Sequence, residues 1–262
     1  MHRRKIPLER QYPWLVQYSL QDGGGQGLEL LEGWSLLNKP TRHVPVREIV
    51  LDQRGQALFF KYNKHNRSII MQAEILEFQT IDRNFSYDEV WGWWSRVYEY
   101  PLILNKIHEI HGKKELKVHN TSWGFGPQHH MFKWRLERCF DSVTSSDIKV
   151  SSEPNTIHYD ITTIPSRELI ACFDVVLNVS TIEEIEPGRQ RVSFENLMSM
   201  VKPGGILVAT FDIPGINLDE FEEMFNRKLI YTSSPISGIN SVYPDERYRD
   251  LRVGYFVVRR LK

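Results

Sequence analysis

Polar and apolar residues alternate between residues 46 and 78, as expected for strands that bury one face. The alternation is clearest from Ile69 to Ile75. DQRG at 52–55 and NKHN at 63–66 have the composition of turns. We therefore predict a small N-terminal appendage over residues 1–80 that holds an antiparallel β meander, with a short helix before it in LELLEGWSLL.

The period of the apolar residues changes to that of a helix after residue 85. SYDE at 86–89 has the Ser-x-x-Glu form of a capping box, which marks the start of a helix. Trp91, Trp94 and Tyr98 follow at three- and four-residue steps and share one helix face. Because proline lacks the backbone N–H that a helix needs, we predict that Pro101 bends or ends this helix.

Strand-like and helix-like segments alternate after residue 115. FDVVLNVS and ILVATFDI are apolar without alternation, which is typical of parallel strands covered by helices on both faces. LRVGYFVVRRLK follows a long loop, so we predict an antiparallel last strand. The pattern predicts an α/β fold with a doubly wound, mostly parallel sheet over residues 81–262. Its other strands are LKVHNT, DSVTSSDI and NTIHYDI, and its helices are 129–140 and RVSFENLMSMVK, ended by Pro203-Gly204-Gly205.

The composition narrows the classes of partner. The chain has 33 basic and 33 acidic residues and a formal net charge of zero, so it lacks the basic excess of nucleic-acid-binding proteins. No run approaches the roughly 18 apolar residues of a membrane span. Two widely separated cysteines form no disulfide framework, and we expect a cytoplasmic protein. His108 and His111 have no third ligand nearby, so we expect no metal site.

The residues that follow the strands carry the candidate chemistry, because ligands of doubly wound sheets bind beyond the carboxyl ends of the strands. FDVVLNVSTIEEI and MVKPGGILVATF, with Asp147 and Asp160 in register, resemble the class I S-adenosylmethionine-dependent methyltransferases over about residues 90–262. The resemblance implies a Rossmann-like methyltransferase domain with S-adenosyl-L-methionine as its cofactor. The cofactor-binding residues that it implies are Asn120, Ser122, Trp123, Gly124, Gly126, Asp147, Ile148, Asp160, Ile161, Asn178 and Val179.

The turn in VHNTSWGFG departs from the pattern of this family. Asn120 stands where the family has an acid, and Ser122 stands where it has the first glycine. Asparagine can form hydrogen bonds but cannot oppose an ammonium group with a charge. A methyltransferase-like fold without catalytic activity, used for binding or assembly, therefore stays open as an alternative. A nicotinamide dehydrogenase fits less well, since GFGPQH has His129 where that motif needs a small residue.

Methyl transfer to a hydroxyl group requires a base that removes the hydroxyl proton. The candidate bases at the correct edge of the sheet are Glu183, Glu184 and Asp212, with His129 and His130 near the cofactor turn. The aromatic segments WGWWSRVYEYP and SGINSVYPDERYRDL could form an acceptor wall, which favours O-methylation of a small molecule or of a sugar or glycan hydroxyl. The N-terminal appendage could pair with itself in a homodimer, shield the acceptor site or extend the fold.

Overall fold

Eight strands form one mixed sheet in the computed structural model of the protein, which describes residues 57–64, 67–82, 85, 88–91, 95–112, 115–124, 126–232 and 252–262. The strands are β1 (Ala57–Lys64), β2 (Arg67–Thr80), β3 (Lys117–Thr121), β4 (Ser142–Asp147), β5 (Thr156–His158), β6 (Phe173–Val179), β7 (Val201–Ile213) and β8 (Arg252–Arg260). The helices are α1 (Arg96–His111), α2 (Pro127–Cys139), α3 (Pro187–Met200) and α4 (Leu218–Phe225). Short 3-10 turns lie at Glu89–Trp91 and Ile182–Glu184.

Neighbouring strands follow the order β1-β2-β8-β7-β6-β3-β4-β5. Strands β3 to β7 are parallel, and the chain moves from β3 to β4 and β5 on one side before it returns to β6 and β7 on the other. This change of direction between β3 and β6 is the topological switch point of a doubly wound sheet. Strand β8 is antiparallel to β7. The predicted Rossmann-like α/β fold with an antiparallel last strand is therefore confirmed.

Two apolar cores cover the two faces of the sheet. On one face, Val176 of β6 and Leu207 of β7 belong to the same buried cluster as Phe194 of α3. On the other face, Val175 of β6 belongs to a cluster that includes Ile103 of α1. Successive residues of a strand point to opposite faces, so a strand covered on both sides needs apolar residues at every position. This requirement explains the lack of alternation in β6.

The N-terminal hairpin is part of the main sheet. Strands β1 and β2 pair antiparallel, as the meander pattern predicts, and β2 then pairs antiparallel with β8, so that Phe78 lies opposite Phe256. Strand β2 buries Phe78 because that side chain joins the main core. The boundary predicted between residues 80 and 81 therefore needs correction for residues 57–80. For residues 1–56, which lie outside the described part, the predicted appendage and its LELLEGWSLL helix stay predictions.

Helix α1 starts later than predicted and continues through Pro101. The capping-box region contains a 3-10 turn at Glu89–Trp91, and α1 begins at Arg96. A proline inside a helix leaves the carbonyl four residues earlier without its usual donor. Here that carbonyl, on Val97, accepts a hydrogen bond from the backbone N–H of Asp88 at 2.9 Å. Pro101 therefore does not end the helix, as one form of the prediction had it, because another donor satisfies the exposed carbonyl.

The Pro-Gly-Gly segment lies inside strand β7, not between helix and strand. Helix α3 ends at Met200, and β7 begins at Val201, several residues before the predicted start. A Cβ atom added to Gly205 would lie 2.5 Å from the carbonyl oxygen of Asp174 in the neighbouring strand β6. Gly205 thus allows two backbones to approach more closely than a side chain permits.

None of the helices formed by the described residues combines the length and the apolar character that crossing a lipid bilayer requires.

The loop SGINSVYPDERYRDL and Trp94 lie outside the described residues. Their predicted place in an acceptor wall therefore stays a prediction.

We predict that Gly205→Ala lowers the free energy of unfolding by about 1–3 kcal/mol, because the new Cβ collides with a backbone carbonyl that cannot rotate away. Gly188→Ala in α3 is the matched control, since a Cβ there meets nothing within 4 Å. It should leave stability unchanged or raise it by up to about 1 kcal/mol, because alanine favours helices. Urea denaturation measures both values, and equal effects of the two substitutions would contradict the close approach at Gly205.

Candidate functional site

A cavity of about 210 Å³ opens at the switch point, between the carboxyl ends of β3 and β6. The turn from β3 to α2 forms one wall, and the segment after β6 forms the opposite wall. Helix α1 and helix α2 contribute aromatic side chains and one cation. The lining residues are Arg96, Tyr100, Asn120, Ser122, Trp123, Gly124, His129, Phe132, Val179, Ser180 and Thr181.

The turn after β3 has an unusual backbone that β4 holds in place. Ser122 and Gly124 both have positive φ angles, 53° and 68°. The carboxylate of Asp147, at the end of β4, accepts hydrogen bonds from the N–H of Gly124 at 3.2 Å and of Lys149 at 2.9 Å. Asp147 is itself buried. The acid predicted to bind the cofactor therefore also fixes the turn that carries the glycine.

His129 fills the space that Gly124 leaves open. A Cβ atom added to Gly124 would lie 2.4 Å from Nδ1 of His129. That Nδ1 accepts a hydrogen bond from the N–H of Gly126 at 3.3 Å, so the proton of the neutral imidazole lies on Nε2. Burial and the nearby Arg96 guanidinium lower the pKa of His129 to about 4. The ring is therefore neutral at physiological pH.

Gly126 has a role different from that of Gly124. It precedes the first residue of α2, and its φ of −74° and ψ of 158° are extended values that most residues can adopt. Gly124, like Ser122, has a positive φ, a conformation that favours glycine. Of the two glycines in the predicted motif, Gly124 thus has a positive φ, and Gly126 caps the start of a helix.

Two asparagines stand at the ends of the central strands. Asn120 of β3 lines the cavity and is 2% exposed. Its side-chain amide forms no hydrogen bond within the described part of the chain. Asn178 of β6 donates from Nδ2 to Oγ1 of Thr121 at 3.1 Å, and that hydroxyl donates to the carbonyl of Leu177 at 2.6 Å. Asn178 therefore joins β3 to β6, whereas Asn120 offers its polar atoms to the cavity.

A buried ion pair that the sequence analysis missed lies behind the cavity. Glu99 of α1 is 0% exposed and pairs with Arg96, one turn earlier in the same helix. Its carboxylate also accepts hydrogen bonds from the hydroxyls of Ser95 at 2.7 Å, Ser180 at 2.5 Å and Thr210 at 2.5 Å. These donors belong to three parts of the chain, so one carboxylate joins α1 to the carboxyl ends of β6 and β7.

The protonation states of this pair follow from its surroundings. Burial opposes the charge on Glu99, but Arg96 and the three hydroxyl donors more than compensate and hold the pKa of that carboxyl below its usual range. Burial likewise opposes the charge on Arg96, and the Glu99 carboxylate raises the pKa of the guanidinium above its ordinary value. Both groups are therefore ionised. In the sequence, the signal was an Arg-x-x-Glu spacing at the start of an apolar stretch that runs to Leu104.

The structure brings two of the three predicted catalytic carboxyls together. The N–H of Asp212 donates to Oε1 of Glu183 at 3.1 Å. Burial and the Glu99 charge raise the pKa of Asp212 to about 7, and burial and Asp212 raise the pKa of Glu183 well above its usual value. Glu184 is exposed. None of the three lines the cavity. The charges of Glu99 and of Arg96, which does line the cavity, shift the pKa of Asp212.

The remaining predicted residues lie at different depths. Ile148, directly after Asp147, is 61% exposed, whereas Ile161 is buried in the core. Oδ1 of Asp160 accepts hydrogen bonds from the N–H and hydroxyl of Thr162 at 2.8 and 2.7 Å, so this acid stabilises its own turn. Among the residues that the structure describes, no group of three His, Cys, Asp or Glu side chains could hold a metal ion.

We predict that Gly124→Ala and His129→Ala are energetically coupled. In the wild type, the alanine methyl would collide with the imidazole and would also strain a backbone with positive φ. In a His129→Ala background the collision is gone, so Gly124→Ala should cost less by about 1 kcal/mol or more. A double-mutant cycle in urea measures this coupling. Additivity within about 0.5 kcal/mol would contradict the contact between the two residues.

Several solved structures of other proteins are similar to this chain. No protein-family model matches the sequence, and no curated protein matches it. The chain is similar to the trans-methyltransferase CalH in complex with SAH, with 13% identity, a TM-score of 0.44 and coverage of 66% of this chain and 58% of that chain. It is also similar to a protein described as a zinc-dependent alcohol dehydrogenase from Rhodobacter sphaeroides, with 22% identity, a TM-score of 0.35 and coverage of 47% and 52%.

A third similar structure is the 1,6-didemethyltoxoflavin-N1-methyltransferase of Burkholderia thailandensis, determined with 1,6-didemethyltoxoflavin and S-adenosylhomocysteine bound. It shares 12% identity with this chain, has a TM-score of 0.43, and the match covers 77% of this chain and 98% of that chain. The solved structures to which this chain is similar thus include class I S-adenosylmethionine-dependent methyltransferases.

Proposed function

We propose that this chain binds S-adenosylmethionine in the cavity at the switch point and transfers its methyl group to an acceptor. The observation that carries the proposal is the glycine turn after β3, which lines the cavity and is held by the carboxylate of Asp147 from β4. A small residue at Gly124 and an acid on the next strand are the features that the family resemblance requires at these positions.

The described residues offer suitable partners for such a cofactor. The side-chain amide of Asn120 lines the cavity and forms no hydrogen bond to the residues that the structure describes, so a polar ligand group would satisfy it. Arg96 lines the cavity and attracts a carboxylate. Tyr100 and Phe132, whose rings stack on each other, line the cavity, and aromatic rings attract cations such as a sulfonium. Asp147 would accept hydrogen bonds from ribose hydroxyls, and the exposed Ile148 would pack on the adenine ring.

The chemistry assigned to the protein is the alignment of the acceptor and the removal of its proton. S-adenosylmethionine supplies an electrophilic methyl group on a sulfonium, which leaves as a thioether. We assign the base to Asp212, because a pKa of about 7 keeps a substantial fraction of this carboxylate ionised and able to accept a proton near neutral pH. Asp212 does not line the cavity, so the acceptor would have to extend from the cavity to this carboxylate. The acceptor hydroxyl would lose its proton to Asp212 as its oxygen forms the bond to the methyl carbon.

We propose a hydroxyl group of a small molecule or of a sugar or glycan as the acceptor. A base suits this acceptor, because a neutral hydroxyl oxygen is a poor nucleophile while it keeps its proton. Glu183 accepts a hydrogen bond from the backbone N–H of Asp212 and would thereby orient the carboxyl of Asp212. Glu184, being exposed, would contact the acceptor only from the rim.

A binding or assembly module without catalysis is the second candidate, and one observation favours it. Two N–H groups of the turn already have protein acceptors: that of Gly124 donates to Asp147, and that of Gly126 donates to His129. A turn whose donors are satisfied internally has fewer donors for a ligand. Under this hypothesis the cavity would bind S-adenosylhomocysteine weakly or not at all.

We predict micromolar binding of S-adenosylhomocysteine to the wild type and a loss of affinity of roughly ten- to several-hundred-fold in Asp147→Ala, because a carboxylate forms strong hydrogen bonds to hydroxyls. Asp147→Asn should fall between. Calorimetric titration measures the affinities, and urea denaturation shows how far the loss of the turn contact also lowers stability. No binding by the wild type at millimolar ligand would favour the module without catalysis.

We predict that the carboxyl of Asp212 titrates near pH 7, measured by carbon NMR with Asp212→Asn to assign the signal. Its folded pKa exceeds the ordinary value of 3.8, so the folded state binds more protons and this group's contribution to stability falls as the pH rises between the two values. As the base it must be ionised, so methyl transfer should increase through the same midpoint. A midpoint below about 5 would leave Asp212 an ordinary carboxylate.

A further inference from the structure

The side chain of His129 occupies the space in front of the glycine turn after β3. Gly124 keeps the space next to its Cα free of a side chain, yet the imidazole of His129 lies so close that even a single added carbon would stand 2.4 Å from Nδ1. His129 also lines the cavity. A ligand that uses the space in front of Gly124 therefore meets an imidazole before it meets the backbone.

The imidazole is held there by a specific contact. Nδ1 accepts the hydrogen bond of the Gly126 N–H, which precedes the first residue of α2, at 3.3 Å. The ring is partly buried, and no carboxylate is hydrogen-bonded to it among the described residues. His129 thus remains in place through one neutral hydrogen bond and through packing, which a ligand can displace at modest cost.

We propose that His129 is a specificity-determining residue of the cavity, whose imidazole blocks the space in front of Gly124 and restricts which ligands reach the turn. The inference rests on the proposed binding of S-adenosylmethionine, and it concerns the methionine portion of that ligand. Ligands that stay clear of the turn bind without moving His129. Ligands that extend to Gly124 bind only after the hydrogen bond to Gly126 is broken.

Removal of the imidazole should therefore increase affinity. We expect His129→Ala to bind S-adenosylhomocysteine about three- to tenfold more tightly than the wild type, the range that corresponds to one ordinary hydrogen bond no longer broken on binding. Adenosine, which lacks the methionine portion, should bind both proteins equally. His129→Phe keeps a ring that still blocks the space in front of Gly124 but lacks the Nδ1 acceptor, so its gain in affinity for S-adenosylhomocysteine should be smaller than that of His129→Ala.

The contrary role for His129 is that of a ligand contact. Its Nε2–H would then donate to the ligand, and His129→Ala would weaken binding of S-adenosylhomocysteine. That result would overturn the proposal, and so would an unchanged affinity. His108→Ala is the matched control, since this histidine is exposed on α1 and does not line the cavity. Its affinity for S-adenosylhomocysteine should equal that of the wild type.

The experiment is calorimetric titration of the full chain and its variants with S-adenosylhomocysteine and with adenosine, alongside hydrogen exchange of the Gly126 amide. Faster exchange of this amide in His129→Ala, without faster global exchange, is expected from loss of its acceptor. If wild type and variant both fail to bind either ligand, the proposed function fails. If both bind S-adenosylhomocysteine with the same affinity, the proposed function survives and the role of His129 does not.

Discussion

A carboxylate that leaves water needs enough donors to replace it, and Glu99 finds them on three separate parts of the chain. Arg96 and Ser95 come from the start of α1, Ser180 follows β6, and Thr210 lies in β7. Removing one partner of a buried ion pair typically destabilises a protein by about 3–5 kcal/mol, because the other charge is left without compensation. The position of α1 over the carboxyl edge of the sheet, and so one wall of the cavity, depends on this carboxylate.

The same carboxylate influences the chemistry of its neighbours. Ser180 has a positive φ of 39°, which is unfavourable for a residue with a side chain, and its hydroxyl donates to Glu99 while its N–H donates to the carbonyl of Thr210. Backbone strain of this kind persists where surrounding contacts over-determine the conformation. The negative charge of Glu99 also contributes to the raised pKa of Asp212. Structural support and electrostatic tuning thus come from one buried group.

Much of the fold could be predicted because its signals are local. Unbroken apolar runs such as that of β6 identify buried parallel strands, and the polar residues after them mark the binding edge. The continuation of α1 through Pro101 could not be predicted from the helix itself, since the donor to the Val97 carbonyl is the backbone N–H of Asp88, which lies outside the helix. The contacts of Glu99 and His129 likewise depend on side chains that the fold brings together. The spacing of residues in the sequence shows where a strand ends, but it does not show which side chains from other segments contact that end.

The place of β8 in the sheet has a consequence for how the molecule assembles. Strand β8 lies between β7 and β2, so the β1–β2 hairpin has its ladder partner in a strand synthesised long after it, with Phe78 opposite Phe256. Such pairing of distant segments slows folding, because a long loop must close before the contact forms. During synthesis the edge of β2 that pairs with β8 therefore stays open until β8 emerges, with its backbone N–H and C=O groups exposed.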